Sequence, residues 1–268
     1  MSPRPKRFLG QNFLVDQDVA NRIVEELRLT PGDTVLEIGP GTGALTHGLA
    51  RRVDQIHGRL ILVELDDHLA SELSTRFADN PRVEVLHQDI LETRVADLAP
   101  RPDGFEVVGN IPYNITTPIL FRLLERPRPR GVLLMVQREV ADRILAEPGT
   151  REYGALSIGV RAVADVERVL RVSRGAFRPR PTVDSTVIRI VPHSPAPLTE
   201  SEEERLRHLT RALFQWRRKQ LGKILRDHPD LRLTDEGVER ALAAAAATRQ
   251  DRPETLSPAG FVAIARTI

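Results

Sequence analysis

Five short apolar runs return about every 25 residues along the first half of the chain: Val35-Leu36-Glu37-Ile38, Leu60-Ile61-Leu62-Val63, Val83-Glu84-Val85-Leu86, Glu106-Val107-Val108-Gly109 and Val132-Leu133-Leu134-Met135-Val136. Amphipathic, helix-length stretches fill the intervals. Runs this short, separated by helical patterns, fit βα units feeding a parallel sheet. Two further runs, 166–172 and 183–191, lie close together and predict a strand pair whose second member joins the sheet antiparallel. The expected architecture is α/β, Rossmann-like, with about seven mostly parallel strands.

Past residue 191 the pattern changes. Pro192-His193-Ser194-Pro195-Ala196-Pro197 disfavours both helix and sheet and reads as a linker. Only helical spacing follows, with Leu206, Leu209, Leu213 and Phe214 on one face. Thr199-Glu200-Ser201-Glu202 fits a capping box, and acidic residues in a first turn suit the helix dipole. Ala243 to Ala247 reads as helix. The expected domains are 1–192, α/β, and 198–268, small and all-α.

Because the formal net charge is only +2, any case for a polyanionic partner rests on where the charge sits. Between Arg205 and Arg226 stand eight Arg or Lys and no Asp or Glu. Within that stretch Arg217, Arg218, Lys219 and Lys223 are the candidate phosphate contacts. The basic amino terminus, Met1 to Arg7, precedes no apolar stretch of signal-peptide type, and no run is long enough to span a bilayer. The absence of cysteine excludes disulfides and thiolate metal sites. A cytoplasmic location, off the membrane, is the expectation.

The first chemical motif is Glu37-Ile38-Gly39-Pro40-Gly41-Thr42-Gly43. Glycines after a buried strand permit a tight bend and close backbone approach to a nucleotide-like ligand. Gly39, Gly41 and Ala44 also satisfy a loose dinucleotide fingerprint, so this loop alone leaves an NAD enzyme open. Glu64, ending the next run, is placed to accept hydrogen bonds from ribose hydroxyls. Asp89 is placed to hold an adenine amino group, or else to cap the turn before Ile90 and Leu91.

Asn110-Ile111-Pro112-Tyr113 discriminates between these options. The lone pair of an aromatic amine is delocalised into its ring, and accepting hydrogen bonds from its protons shifts that pair toward an incoming methyl group. The Asn110 amide and the Pro112 carbonyl are candidate acceptors, and Tyr113 can stack on the base. A sulfonium methyl donor then needs positioning and no metal.

From Lys6 to Ile190 the chain resembles the ribosomal RNA adenine dimethyltransferases. The resemblance is carried by Gly10-Gln11-Asn12-Phe13-Leu14, Leu36 to Gly43, Val63-Glu64-Leu65-Asp66, Gln88-Asp89-Ile90, Gly109 to Pro118, Gln137 to Ala141 and Phe177-Arg178-Pro179-Arg180-Pro181-Thr182-Val183-Asp184-Ser185. The segment Phe214 to Leu221 resembles the family's C-terminal domain. The resemblance implies a class I S-adenosylmethionine-dependent methyltransferase fold. It implies that Asn12, Leu14, Gly39, Glu64, Asp89 and Asn110 bind S-adenosylmethionine, and that Tyr113 and Phe177 sandwich a target adenine whose amine Asn110 and Pro112 hold. Its implied substrate is a pair of adjacent adenosines in the terminal hairpin of small-subunit ribosomal RNA within the 30S particle, each methylated twice on N6 by a monomeric enzyme. Ile111 is shared with the macrolide-resistance methyltransferases, a departure from the Asn-Leu frequent in the small-subunit branch. A non-catalytic nucleic-acid-binding relative, and a methyltransferase acting on DNA adenine or protein glutamine, are the other readings. The intact motifs oppose the first, and Ile111 in place of a proline opposes the second.

Overall fold

A computed structural model of the protein describes residues 11–98 and 104–268. The basic stretch Met1 to Arg7, and Gly10 of the first motif, lie outside the described residues.

The elements follow in chain order. A two-residue strand β1 (Phe13–Leu14) leads into α1 (Gln17–Glu25), β2 (Thr34–Ile38), α2 (Thr46–Gln55), β3 (Arg59–Glu64), α3 (Asp67–Arg76) and β4 (Val83–His87). Next come β5 (Phe105–Asn110), α4 (Thr116–Leu123), β6 (Gly131–Gln137), α5 (Arg138–Leu145), α6 (Ala155–Arg161), β7 (Ala164–Val172), β8 (Phe177–Arg178) and β9 (Ser185–Pro192). The remainder is helical: α7 (Glu200–Gln215), α8 (Leu221–Asp227), α9 (Asp235–Ala244) and α10 (Pro258–Ala265).

Seven strands form one sheet in the order β4-β3-β2-β5-β6-β9-β7. Strands β2 to β6 run parallel, and β9 pairs with β6 antiparallel. The alternate residues Val35, Leu60, Leu62, Val108, Leu133, Met135 and Val187 share a core cluster with Ile23 and Val24 of α1, Leu49 and Val53 of α2 and Leu73 of α3. Their neighbours Leu36, Ile61, Val107, Leu134 and Ile188 are buried as well, so the central strands are covered on both faces and read as apolar runs, while the edge strands β4 and β7 stay partly exposed. From β2 the chain turns to β3 on one side, while β5 lies on the other. That switch point is where open α/β sheets place their ligands. The amino ends are pinned: the Arg130 guanidinium donates to Asp33 Oδ2 at 2.7 Å and to Glu106 Oε1 at 2.9 Å.

A second, smaller ladder joins β1 to β8, with Phe13 opposite Arg178 and Leu14 opposite Phe177. Sequence periodicity does not predict it, because two residues carry no period.

The chain divides into two compact units, one of residues up to 141 with 167–192, the other of 142–166 with 193–268. The change after residue 192 falls where the prolines are. The second unit, however, is larger than the expected 198–268, since it takes in the end of α5, all of α6 and the start of β7. Aromatic burial explains this. Tyr153 is fully buried and its hydroxyl donates to the Leu256 carbonyl at 2.7 Å. Its ring meets Phe214 edge-on, and Phe214 stacks on Phe261 at 5.8 Å. Within this unit α7 begins at the expected capping box, Thr199 Oγ1 accepting from Glu202 N–H and Glu202 Oε2 accepting from Thr199 N–H. The helical reading of Ala243 to Ala247 is corrected: α9 ends at Ala244, Ala246 has φ +50°, and Ala247 N–H closes the turn on the Leu242 carbonyl at 2.9 Å.

Candidate active site

The carboxyl ends of β2, β3 and β5, with the segment around β1, enclose a cavity of about 250 Å³. Asn12, Leu14, Gly39, Glu64, Asp89, Asn110, Pro112 and Tyr113 all line it. Residues scattered over a hundred positions of sequence thus meet around one space. Phe177 does not line it.

The turn after β2 is shaped by backbone that side chains resist. Gly39 and Gly41 have φ of +62° and +58°. A Cβ on Gly39 would point at the Asn110 carbonyl, 3.9 Å away, filling the gap between the ends of β2 and β5; one on Gly41 would stand 3.1 Å from the Phe13 ring. Gly39 N–H is bonded to the Val63 carbonyl at 2.9 Å, which holds the turn against β3.

Glu64 is 5 % exposed, and its two oxygens accept the Gly41 and Asp66 N–H groups, each at 2.9 Å. Burial raises its pKa against the opposing effect of these donors. The carboxylate keeps accepting capacity beyond these bonds, as a ribose hydroxyl requires. Asp89 does both things the sequence allowed for: it lines the cavity, and its Oδ1 accepts the Leu91 N–H at 2.8 Å. Glu37 is a site residue that sequence reading passed over. Its carboxyl is 1 % exposed at the cavity wall and accepts from Thr46 Oγ1 at 2.7 Å. Burial, reinforced by the Glu64 charge, pushes its pKa up to about 8. A lone acid inside the apolar run Val35 to Ile38 was the available signal.

The acceptor end of the site is built on β5. Asn110 Nδ2 donates to the Asn12 carbonyl at 3.0 Å, which fixes the amide plane and leaves Oδ1 as the acceptor of this cavity-lining side chain. The Pro112 carbonyl is already engaged, accepting from Ile115 N–H at 3.3 Å and Thr116 Oγ1 at 3.2 Å. Of the two expected acceptors, Asn110 is therefore the better disposed. Tyr113 opens a single 3₁₀ turn, residues 113–115, half-buried, with its hydroxyl 2.6 Å from Ser185 Oγ. Burial raises its pKa.

Asn12 and its neighbours are tied down as a strap. Gln11 Nε2 donates to Asp66 Oδ2 at 3.3 Å, and Val15 N–H to the Ala176 carbonyl at 2.8 Å. Leu14 lines the cavity, yet its side chain is 3 % exposed and belongs to the core beside Phe177. Phe177 is placed differently from Tyr113. It is 0 % exposed, held in β8 against Leu14 and packed in the core cluster. A ring so placed has no solvent-facing surface in this conformation.

In the second unit the basic candidates separate. Arg217, Arg218 and Lys219 lie in the turn between α7 and α8, not on a helix. Arg217 is half-buried: it donates to the Thr150 carbonyl at 3.3 Å, lies 3.9 Å from Glu254 Oε2 and 5.9 Å from the Phe214 ring centroid. Arg218, Lys219 and Lys223 are turned more toward solvent.

A seven-stranded sheet of this order, a left-handed glycine turn after β2, an acid closing β3 and Asn-Ile-Pro-Tyr after β5 define the Rossmann-like, S-adenosylmethionine-dependent methyltransferase class. Residues 3–250 match the model described as ribosomal RNA adenine dimethylase, and the chain belongs to that family. It is 42 % identical to the ribosomal RNA small subunit methyltransferase A of Geobacter metallireducens over 99 % of this chain and 96 % of that one. It is 41 % identical to the protein of the same name in Acinetobacter baylyi, covering 97 % and 90 %. Among solved structures it resembles a dimethyladenosine transferase from Plasmodium falciparum, with a TM-score of 0.77, 25 % identity and coverage of 94 % and 95 %. The 23S rRNA methyltransferase ErmE matches with a TM-score of 0.71, 29 % identity and coverage of 96 % and 99 %. S-adenosylmethionine is the cofactor. The glycine cradle and the spare lone pairs of Glu64 and Asp89 fit its nucleoside. Among the described residues no helix is long and apolar enough to cross a membrane.

Proposed function

We propose that the protein methylates N6 of two adjacent adenosines in the 3′-terminal hairpin of small-subunit ribosomal RNA, twice each, acting as a cytoplasmic monomer on the 30S particle. The observation that carries the reading is that Asn110 and Tyr113 share one cavity with the Gly39–Gly41 turn, the Asn110 amide being tied to the Asn12 carbonyl so that Oδ1 accepts. The small-subunit branch is favoured by the stronger sequence likeness, 42 % against 29 % for the 23S enzyme, although Ile111 departs from the Asn-Leu frequent in that branch.

Bound S-adenosylmethionine supplies a methyl group on a positively charged sulfur. Glu64 holds its ribose and Asp89 its adenine, with Asn12, Leu14 and Gly39 lining the rest of the binding surface. Tyr113 stacks on the face of the target base, an interaction worth about 1–3 kcal/mol that helps keep the nucleotide out of its helix. Asn110 Oδ1 accepts a hydrogen bond from N6–H and localises the nitrogen lone pair toward the incoming carbon. The Pro112 carbonyl is a second hydrogen-bond acceptor for the amine, and the proton that the methylated nitrogen sheds passes to solvent. After the first transfer only one N–H remains, so Asn110 alone suffices for the second. Arg218, Lys219 and Lys223 meet RNA phosphates, while Arg217 braces the turn that carries them.

Replacing Asn110 by Ala is expected to slow single-turnover methylation of undermethylated small subunits about 100- to 1000-fold, as when a specific transition-state hydrogen bond is removed. RNA affinity should stay near normal. A near-normal rate in N110A would remove the role assigned to this amide.

A further inference from the structure

We infer that Ser185 is a positioning residue for methyl transfer, holding the Tyr113 ring in the plane that receives the target base. The inference rests on the reading that Tyr113 stacks on that base. Ser185 is the first residue of β9, opposite Gln137 of β6, and 1 % exposed. Its Oγ lies 2.6 Å from the Tyr113 hydroxyl across 72 residues of sequence. Tyr113 stands on a single 3₁₀ turn whose N-cap, Pro112, offers no side-chain cap. Its ring has two free torsions, so the backbone fixes only one end. The bond to Ser185 fixes the other, and leaves the ring face rather than its hydroxyl to meet a ligand.

Ser185 is itself anchored through its neighbour. The Asp184 carbonyl accepts the Arg138 N–H at 3.0 Å, and Asp184 Oδ1 accepts the Arg174 N–H at 3.0 Å. Three segments, the starts of α5 and β9 and the turn after β7, thus meet beneath one hydroxyl. A Tyr hydroxyl enclosed beside apolar surface needs a partner. Deprived of it, the ring would turn toward other partners and leave the stacking plane.

The test uses the full protein with undermethylated small subunits and saturating S-adenosylmethionine. S185A is expected to lower the single-turnover rate about tenfold to a hundredfold, as a misplaced reacting group does, with cofactor affinity unchanged and S185T restoring the rate. Y113F keeps the ring and removes the hydroxyl; it should fall by the same factor, and S185A/Y113F no further, since all three remove one bond. Additive losses, or a wild-type rate in S185A, would overturn the proposal. Y113A separates this outcome from failure of the stacking reading: full activity in Y113A removes the stacking reading itself, and with it the role of Ser185. Inactive Y113A beside normal S185A and Y113F removes the role of Ser185 alone. Should S185A not fold, Y113F decides: its expected loss with normal cofactor affinity supports the role, and normal turnover ends it.

Discussion

Tyr113 and Phe177 are both aromatic and both sit in motifs that resemble the same family, yet the fold treats them oppositely. Tyr113 is half-exposed at the cavity with its hydroxyl bonded to Ser185, whereas Phe177 is sealed between Leu14 and the sheet. Burial follows from pairing with a distant two-residue strand, which no local pattern announces. Phe177→Ala should therefore cost about 3–5 kcal/mol of stability, the usual result of emptying a core ring site. Phe177→Leu should keep most of the volume and most of the methylation rate. An inactive but fully stable F177L, seen by comparing denaturant midpoints with single-turnover rates, would return Phe177 to the site. Glu37 makes a second residue-scale prediction. Its pKa rises from 4.5 to about 8 on folding, so between those values the folded state holds the extra proton. Its contribution to stability is present below pH 4.5 and is lost as pH rises toward about 8, with a slope of at most about 1.4 kcal/mol per pH unit. Glu37→Gln keeps an acceptor for Thr46 and removes the titration. Urea midpoints from about pH 5 to 8 should fall less steeply in E37Q than in wild type; parallel curves would show that Glu37 ionises freely.

Among elements, those with a period were legible and those without were not. The strands β2 to β6 lie within a residue or two of their apolar runs, and in β2, β3, β5 and β6 burial on both faces demands such runs. The capped start of α7 was equally visible, since Thr199 and Glu202 satisfy backbone groups locally. The β1–β8 ladder and the end of α9 were not, because long-range pairing decides the first and the left-handed Ala246 follows the second; nor was the turn carrying Arg217 to Lys219, which has no period. The basic turn yields a prediction of its own. Arg218, Lys219 and Lys223 reach toward solvent, whereas Arg217 reaches inward to Thr150 and Glu254. Changing the first three to Gln should weaken binding to small subunits and lower the slope of log affinity against log salt by up to about 0.7–0.9 for each phosphate no longer neutralised. S-adenosylmethionine binding should not change. Filter binding over a salt series would show it, and a wild-type slope would mean that these side chains face away from RNA.

For the whole molecule, the parallel sheet with its switch point between β2 and β5 explains why residues far apart in sequence line one cavity. A doubly wound sheet brings the residues just past its strand ends together, so Gly39, Glu64, Asp89 and Asn110, each at or just past the end of a run, had to converge. The second unit was less legible. Its partition depends on Tyr153 and Phe214 finding one another, a matter of packing with no sequence spacing to betray it. Substrate identity lies further still from the fold, since a 23S enzyme shares the architecture with a TM-score of 0.71. The product therefore tests the central claim most directly. Undermethylated small subunits should be incubated with the protein and labelled S-adenosylmethionine, and the RNA then digested and its nucleosides separated. N6,N6-dimethyladenosine at two neighbouring positions of small-subunit RNA is the expected outcome. Monomethyladenosine alone at completion, or label entering large-subunit RNA instead, would contradict it.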